Sequence, residues 1–409
     1  MREVRRSKAF PNLSFLAARE EDDVFRLDCP VSFRHIARAS DMLTRPGEFQ
    51  ISVCRDITPI YEVIRSIPGT VDLRAQTYPM SIPALDELSV LQRRGKIGEQ
   101  HLVFDRAAHG QQNQFEFDEV WIPSIASLGL VGDDGPGDRV VGGTHSKWFV
   151  LDGSERRDSV LSSSNDGCEK NHLEWWASSR DEGLAEYLVD ERGHGLTPPV
   201  PSKRVGKIEG GAIARASSLL PFPLAQVSVI RASSLTPSSA ILFWLIQACG
   251  EPVDLSLMSF SSSMGFCAAL AELREQGHLG SLRWAIDHSL KTRKASKSEG
   301  RVLQSLREYF PGEVTFPHSR IHGKWAVIRT PSQSISVLTS ANWQETNPRE
   351  ESYVVTTDPA VAAGLENVQA NIDTPTRPRP TAVPTTYAPQ FVQTSTLRPA
   401  ELERIMRLR

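Results

Sequence analysis

The chain has 409 residues, which is enough to bury one large core or two moderate ones. A formal net charge of -3 gives no overall attraction to nucleic acid or to an anionic membrane, so any such binding must come from local patches. The 5 cysteines are widely spaced and form no CxxC pair. This spacing argues against a zinc module or a disulfide framework and favours a reducing compartment. The basic N-terminus is not followed by an apolar run, so we expect a cytoplasmic protein without a cleaved signal peptide.

Two stretches of the chain repeat the same order of predicted elements. Each begins with a helix, at residues 57–67 in the first stretch and 237–248 in the second. A strand, an amphipathic helix and a second strand follow in each. These lie at 70–77, 84–94 and 100–104 in the first stretch and at 252–260, 265–276 and 282–286 in the second. Strand–helix–strand order at this scale indicates a mixed or parallel sheet with helical cover. We therefore predict an α/β fold of two pseudo-symmetric repeats, each a mixed sheet flanked by helices.

The repeats also suggest a division of the chain into segments. We place the first repeat at residues 48–195 and the second at residues 224–360. Residues 196–223 begin with a run of prolines that does not fit inside regular structure, and we interpret them as a linker. Residues 372–409 are rich in Pro, Thr and Arg, a composition that predicts a disordered tail. Residues 1–47 carry mixed signals and receive no assigned role.

A set of polar residues recurs inside these repeats at a displacement of 177 positions, as from 145 to 322. In each copy a histidine and a lysine stand two residues apart at the start of a predicted strand. A serine and an asparagine stand two apart at the end of the next strand, and a glutamate lies on a third. Residues two apart point to the same face of a strand, so each copy should aim these side chains at a shared edge. The copies are His145, Lys147, Ser163, Asn165 and Glu174, then His322, Lys324, Ser340, Asn342 and Glu351.

These residue types suit attack on a phosphodiester. That reaction needs a nucleophile, a proton for the leaving oxygen, and positive donors around the nonbridging oxygens. Histidine serves as nucleophile when neutral and as acid when protonated, and a carboxylate on its far nitrogen orients the ring. Lysine and asparagine side chains bind the phosphate oxygens, so the set requires no metal and no other cofactor. We predict that the histidines, lysines, asparagines and glutamates are catalytic and that the serines bind substrate.

The doubled set resembles the signature of the phospholipase D superfamily, H-x-K-x4-D followed by G-S-x-N. The first copy fits except that Ser162 stands where glycine is usual. The second copy has Arg329 in place of the aspartate and Thr339 in place of the glycine. The resemblance covers about residues 48–195 and 224–360. Tyrosyl-DNA phosphodiesterases lack this aspartate as well, and its odd step from the lysine predicts a structural role.

The resemblance implies a two-half α/β fold with the active site at the interface of the repeats. It also implies a phosphohistidine intermediate. In that scheme His145 is the nucleophile, and His322 protonates the leaving group and then activates water. The paired tryptophans after the lysines, Trp148 and Trp325, are expected to pack between the repeats rather than to stack on substrate.

Three functions remain open at this point. The first is a nuclease or DNA-end-processing enzyme, favoured by a basic insert that precedes the second copy and whose Lys291, Arg293 and Lys294 would bind a polyanion. The second is a phospholipase D or phosphatidyltransferase that acts on phospholipids, and the third is a non-catalytic phosphate-binding scaffold. We expect a monomer without a membrane span, because one chain supplies both halves of the site.

Overall fold

The structure is a computed structural model. It describes residues 14–17, 22–36, 41, 44–55, 60–77, 82–105, 139–142, 145–164, 172–189, 210–233, 235–292, 297–344 and 350–373. Three of the predicted site residues, Asn165, Arg293 and Lys294, fall outside these ranges, as do residues 374–409 of the predicted tail.

The described residues form strands and helices. The strands are β1 (Ser14–Ala17), β2 (Asp23–Leu27), β3 (Val31–His35), β4 (Phe49–Arg55), β5 (Val71–Thr77), β6 (Ile97–Asp105), β7 (Arg139–Gly142), β8 (Trp148–Gly153), β9 (Arg157–Ser162), β10 (His172–Ser179), β11 (Val227–Ala232), β12 (Val253–Ser259), β13 (Leu279–Ile286), β14 (Val314–Thr315), β15 (Arg320–Ile321), β16 (Lys324–Arg329), β17 (Ser334–Thr339) and β18 (Glu351–Thr356). The helices are α1 (Ile60–Ser66), α2 (Ile82–Arg93), α3 (Glu182–Val189), α4 (Gly210–Leu219), α5 (Ser238–Ala248), α6 (Met264–Glu275), α7 (Ser289–Thr292), α8 (Lys297–Tyr309) and α9 (Pro359–Ala370). None of these helices is long and apolar enough to cross a membrane.

The strands assemble into two mixed sheets with matching order. The first sheet runs β1-β7-β6-β5-β8-β9-β10-β4-β3, and the second runs β14-β13-β12-β16-β17-β18-β11-β2. In both sheets the pairs β5·β6 and β12·β13 are parallel, whereas the three strands that follow them along the sheet are antiparallel. The predicted α/β fold of two pseudo-symmetric repeats is confirmed.

Three apolar clusters show how the layers pack. Helices α1 and α2 cover the outer face of the first sheet, and α4, α5, α6 and α8 cover the outer face of the second. The third cluster draws residues from both sheets and from α3 and α9, so it is a core shared by the two repeats. Trp148 and Trp325 are both buried in this shared core, as the sequence predicted.

Local sequence explains why the elements begin where they do. Strand β16 buries Lys-Trp-Ala-Val-Ile without interruption, the pattern of a central strand covered on both faces. Helix α6 begins after Ser263, whose hydroxyl accepts a hydrogen bond from the Phe266 N–H. Helix α9 begins after Asp358, whose carboxylate accepts from Ala360 and Val361.

Three described features lie at the predicted boundaries. Within residues 1–47, β2 pairs with β11 in the second sheet and β3 pairs with β4 in the first. The predicted linker at 196–223 includes helix α4, whose alanines favour a helix once the prolines have passed. Beyond residue 360, the predicted end of the second repeat, α9 continues to Ala370 and packs against strands of both sheets. The division of the chain into segments stays a prediction.

One difference from the prediction concerns the motif itself. The first strand of the motif starts at Trp148, so His145 and Lys147 lie in the segment just before it. In the second copy His322 also precedes the strand, and Lys324 is its first residue. Both histidines therefore lie just before a strand. Their backbone N–H groups donate to carbonyl oxygens of the other repeat.

Candidate active site

Each predicted site histidine faces a carboxylate from the other repeat. Nδ1 of His145 lies 2.9 Å from Oε2 of Glu351. Nδ1 of His322 lies 2.8 Å from Oε1 of Glu174. An ionised carboxylate can only accept a hydrogen bond, so the proton of each neutral imidazole belongs on Nδ1. The two repeats are thus joined at the site by a crossed pair of His–Glu contacts.

The two predicted serines stand behind these carboxylates. The hydroxyl of Ser163 donates to Glu174, and the hydroxyl of Ser340 donates to Glu351. Each serine oxygen also accepts a backbone N–H from the strand that carries the glutamate, from Trp175 at 3.0 Å in the first copy. The second copy repeats that contact at 2.9 Å. In the structure the serines orient the glutamates, and their predicted contact with substrate stays a prediction.

Both predicted lysines are buried between the repeats. Lys147 is 1% exposed and its ammonium group donates to the carbonyl oxygen of His145 at 2.6 Å. Lys324 is 0% exposed. Each lysine acts electrostatically on both site histidines, so the two halves share one cationic region.

Burial keeps both imidazoles neutral at neutral pH. It lowers the pKa of His145 to about 3; the paired glutamate opposes this change, and Lys147 and Lys324 reinforce it. Burial likewise lowers the pKa of His322, again against its glutamate and with the help of both lysines. Neutral imidazole is the nucleophilic form, so this environment suits attack by a histidine.

The glutamates are held in the ionised form. Burial by itself raises the pKa of Glu174, but the effects of the paired histidine, Lys324 and Ser163 together outweigh it, and the pKa lies below its ordinary value. Burial also raises the pKa of Glu351, and its paired histidine, a lysine and Ser340 again leave the pKa lowered. The site therefore combines two neutral imidazoles with two carboxylates and two ammonium groups.

The segment around Asn342 is held by two hydrogen bonds. Its side-chain oxygen accepts the Ser261 N–H at 3.3 Å, which leaves the amide nitrogen on the opposite side. Its carbonyl oxygen accepts from the Ser238 hydroxyl at 2.7 Å. Of the two predicted asparagines, this is the one that the described residues contain, and its role as a phosphate donor stays a prediction.

Ser162 and Thr339, which replace glycine in the signature, have a structural reason. The Ser162 hydroxyl accepts the Ser164 N–H at 2.7 Å, and the Thr339 hydroxyl accepts the Ala341 N–H at 2.9 Å. In each copy the hydroxyl closes a turn just after the strand, a common role for serine and threonine. This turn positions the next residue, the serine that donates a hydrogen bond to the site glutamate.

The variable aspartate position lies away from the site. Asp152 is half exposed and lies 3.3 Å from Arg157 across a hairpin. Arg329, at the corresponding position, lies 2.7 Å from Glu366 on α9. Both residues are at the far end of the strand from the lysine, so their ion pairs join surface elements. This agrees with the structural role expected for this position.

Sequence analysis missed several residues that contact the site. His172 stacks on His322 with ring centroids 6.0 Å apart, and Phe260 meets the same ring edge-on at 5.7 Å. Arg231, Glu350 and Gln76 form a buried polar group beside His145. None of these five recurs at the motif displacement with the same residue type, so the repeat signal could not identify them.

No protein-family model and no curated protein matches the chain. Among solved structures, the chain is similar to a polyphosphate kinase from Porphyromonas gingivalis, with a TM-score of 0.44 and 11% identity, over 78% of this chain and 50% of the kinase. It is also similar to a phosphatidylserine synthase from Haemophilus influenzae Rd KW20, with a TM-score of 0.46 and 14% identity, over 77% of this chain and 83% of the synthase. The chain thus spans half the length of the kinase, and identities this low assign no activity to it.

Proposed function

We propose that this protein is a phosphodiesterase of the phospholipase D type that works through a phosphohistidine intermediate. The observation that supports this most strongly is the crossed pair of contacts, His145 with Glu351 and His322 with Glu174. Two oriented imidazoles beside two buried lysines provide a nucleophile, an acid and a cationic site for the phosphate.

In the first step His145 attacks phosphorus through Nε2. A nitrogen–phosphorus bond forms while the bond from phosphorus to the leaving oxygen breaks. Protonated His322 gives its proton to that oxygen, so no free alkoxide is released. The negative charge of a bound phosphodiester favours the protonated form of His322 and so offsets the lowering of its pKa by burial.

In the second step His322, now neutral, takes a proton from water. The resulting hydroxide attacks phosphorus, the nitrogen–phosphorus bond breaks, and His145 returns to its neutral form. Lys147 and Lys324 supply positive charge close to both imidazoles, where negative charge accumulates on the phosphate oxygens during both steps.

The proposed substrate is a nucleic acid, and this part rests on sequence. The segment between β13 and β16 is rich in Lys and Arg, including Lys291 in helix α7. A basic segment that leads into a phosphate site suits a polyanion better than a single headgroup. Metal independence is also proposed, because the two lysines bring the positive charge that a metal would otherwise supply.

The test is hydrolysis in EDTA with labelled single-stranded DNA, double-stranded DNA, RNA and phosphatidylcholine vesicles. We expect turnover of a nucleic acid, and a loss of ~10²-fold or more in His145→Ala and in His322→Ala. Asp152→Asn removes a charge outside the site and serves as the matched control. Turnover of vesicles alone would replace the nuclease with a phospholipase D or phosphatidyltransferase, and activity retained in either histidine variant would refute the two-histidine mechanism.

A second test uses rapid quenching and distinguishes acid-stable from acid-labile phosphate on the protein. A phosphohistidine is acid-labile and alkali-stable, and we expect it on His145. Its absence under conditions of rapid turnover would exclude the covalent intermediate.

A further inference from the structure

A buried polar network lies beside His145 and joins both repeats. Nε of Arg231 lies 3.4 Å from Oε1 of Glu350, and the side-chain amide of Gln76 donates to the same oxygen at 3.1 Å. All three residues are at most 1% exposed. We propose that this network is a positioning device that holds His145 as the nucleophile and makes the two half-sites unequal. The inference rests on the proposed function.

The second half-site has apolar residues at the matching positions. Arg231 and Val53 each lie one residue before the strand partner of a site glutamate, so they occupy matching positions in the two sheets. Gln76 pairs with the tryptophan after the first site lysine, and Met258 pairs with the tryptophan after the second. The residue before each site glutamate fixes the third position. The counterparts are Val53 for Arg231, Met258 for Gln76 and Leu173 for Glu350. All three counterparts belong to the shared apolar core.

The network touches the first half-site at three places. The carbonyl oxygen of Glu350 accepts the His145 N–H at 2.7 Å. The guanidinium of Arg231 lies 6.0 Å from the ring centroid of Trp148, the residue after the site lysine. Glu350 also directly precedes the glutamate that faces the imidazole. The network therefore contacts the backbone of the nucleophile and the residue after its lysine, and it includes the residue before its carboxylate.

Arg231 is itself hydrogen-bonded to helix α3. Its Nη1 donates to the carbonyl oxygens of Leu188 at 3.2 Å and Tyr187 at 3.4 Å, at the C-terminal end of α3. Its backbone N–H donates to the Tyr187 hydroxyl at 3.1 Å. A cation at this end of a helix satisfies carbonyl groups that lack helical partners. Arg231 thus links Glu350 to the C-terminal end of α3.

Stability alone does not explain an ionic network here. The matching positions of the other half show that Val, Met and Leu fit the same fold. A buried ion pair is often no more stable than apolar residues of similar volume. Hydrogen bonds and charge pairs fix direction as well as contact, and a nucleophile must be held within a narrow geometry for attack. In the apolar half the carbonyl oxygen of Leu173 accepts the N–H groups of His322 and Gly323, at 3.1 Å and 2.6 Å, without such a network.

The experiment makes the two half-sites alike. The variant Gln76→Met/Arg231→Val/Glu350→Leu copies the apolar trio into the polar positions. We expect it to fold cooperatively, and we expect the single-turnover rate of phosphohistidine formation to fall ~10-fold or more. Hydrogen exchange at the His145 amide should accelerate ~10-fold, while the His322 amide in the same molecule stays unchanged.

Met258→Leu is the matched control, a volume-conserving change in the apolar trio that should alter both readouts by less than about twofold. Gln76→Met alone removes one donor and leaves the ion pair, so it decides the matter if the triple variant does not fold. We expect it to slow phosphohistidine formation about threefold and to increase exchange at the His145 amide.

Wild-type exchange at His145 together with a single-turnover rate within about twofold of wild type, in the triple variant or in Gln76→Met if the triple variant does not fold, would overturn the inference. Phosphate mapped to residue 322 would overturn the choice of nucleophile. If the wild-type protein cleaves no phosphodiester, the proposed function fails, whereas the exchange comparison still decides whether the network positions His145.

Discussion

At His145 the carboxylate comes from the second repeat and a buried polar network lies beside it, whereas at His322 the carboxylate comes from the first repeat and the positions that match the network are apolar. The contacts within the two half-sites match closely. Each glutamate is bonded to a serine, and each serine accepts a backbone N–H from the following strand. The two half-sites therefore share a small set of contacts. They differ in the residues that pack next to those contacts.

The largest expected effect tests the crossing of the two His–Glu pairs. Glu351→Gln should behave like a defect in His145, because the amide is a weaker acceptor for Nδ1–H and does not stabilise the developing imidazolium. We expect phosphohistidine formation to fall by ~10²-fold or more in rapid-quench assays, whatever the leaving group. Glu174→Gln should behave like a defect in His322.

The leaving group separates the two variants. A nitrophenolate needs no proton to depart, so Glu174→Gln should form the intermediate at nearly the wild-type rate with that leaving group and slowly with an alkoxide. Equal sensitivity of both variants to the leaving group would mean that the carboxylates do not have separate roles.

The second prediction concerns stability at the polar network. Arg231→Met or Glu350→Gln alone leaves a buried charge without its ion-pair partner and should lower the free energy of unfolding by about 3–5 kcal/mol. The triple variant that copies the apolar trio should lose much less. Urea denaturation measures both. Losses of the same size in the single and triple variants would mean that the network is chiefly a stabilising element.

Much of the fold was predictable, because the signals that define it are local. Apolar periodicity placed β5, β12, α2 and α6 within a few residues of their ends. The repeated spacing also identified histidines, lysines and glutamates that lie together in the structure. The edge strands β2 and β3 were missed, because short strands made of half-exposed residues have no clear alternation. The partner of β2 also lies far along the chain, in β11.

The crossing of the glutamates and the polar network were not predictable by the same means. The 177-residue displacement, as from 145 to 322, marks residues that agree between the repeats. It cannot show which copy of a glutamate faces which histidine, because that depends on the packing of one sheet on the other. Arg231 and Gln76 differ from their counterparts, so a method that looks for agreement does not detect them.

The third prediction is a loss of stability on acidification. The folded-state pKa values of His145 and His322 lie below the ordinary value of 6.5, so the unfolded chain binds more protons once the pH falls below about 6.5. The free energy of unfolding should therefore fall as the pH is lowered below about 6.5, and His145 contributes to this fall down to about pH 3. The glutamates act in the same direction, but only as the pH passes below their ordinary value of 4.5 and falls through their folded-state pKa.

Urea denaturation at several pH values checks this slope. Between about pH 7 and about pH 5 the histidines dominate, so His145→Gln/His322→Gln should flatten the dependence or reverse it. An unchanged slope in the double variant would show that other groups cause the loss of stability in acid.

The smallest expected effect is at the far ends of the strands, where the halves carry opposite charges. Arg329 is 33% exposed and pairs with Glu366, so the pair should contribute about 0–1 kcal/mol after screening by solvent. Arg329→Asp restores the residue of the signature but places it beside a carboxylate. We expect a loss of about 1 kcal/mol and phosphodiesterase activity within about twofold of wild type. Arg329→Gln removes the charge without the repulsion and is the control. A large gain in activity on introducing the aspartate would show that this position acts on the site after all, and that the second half-site is catalytically incomplete without it.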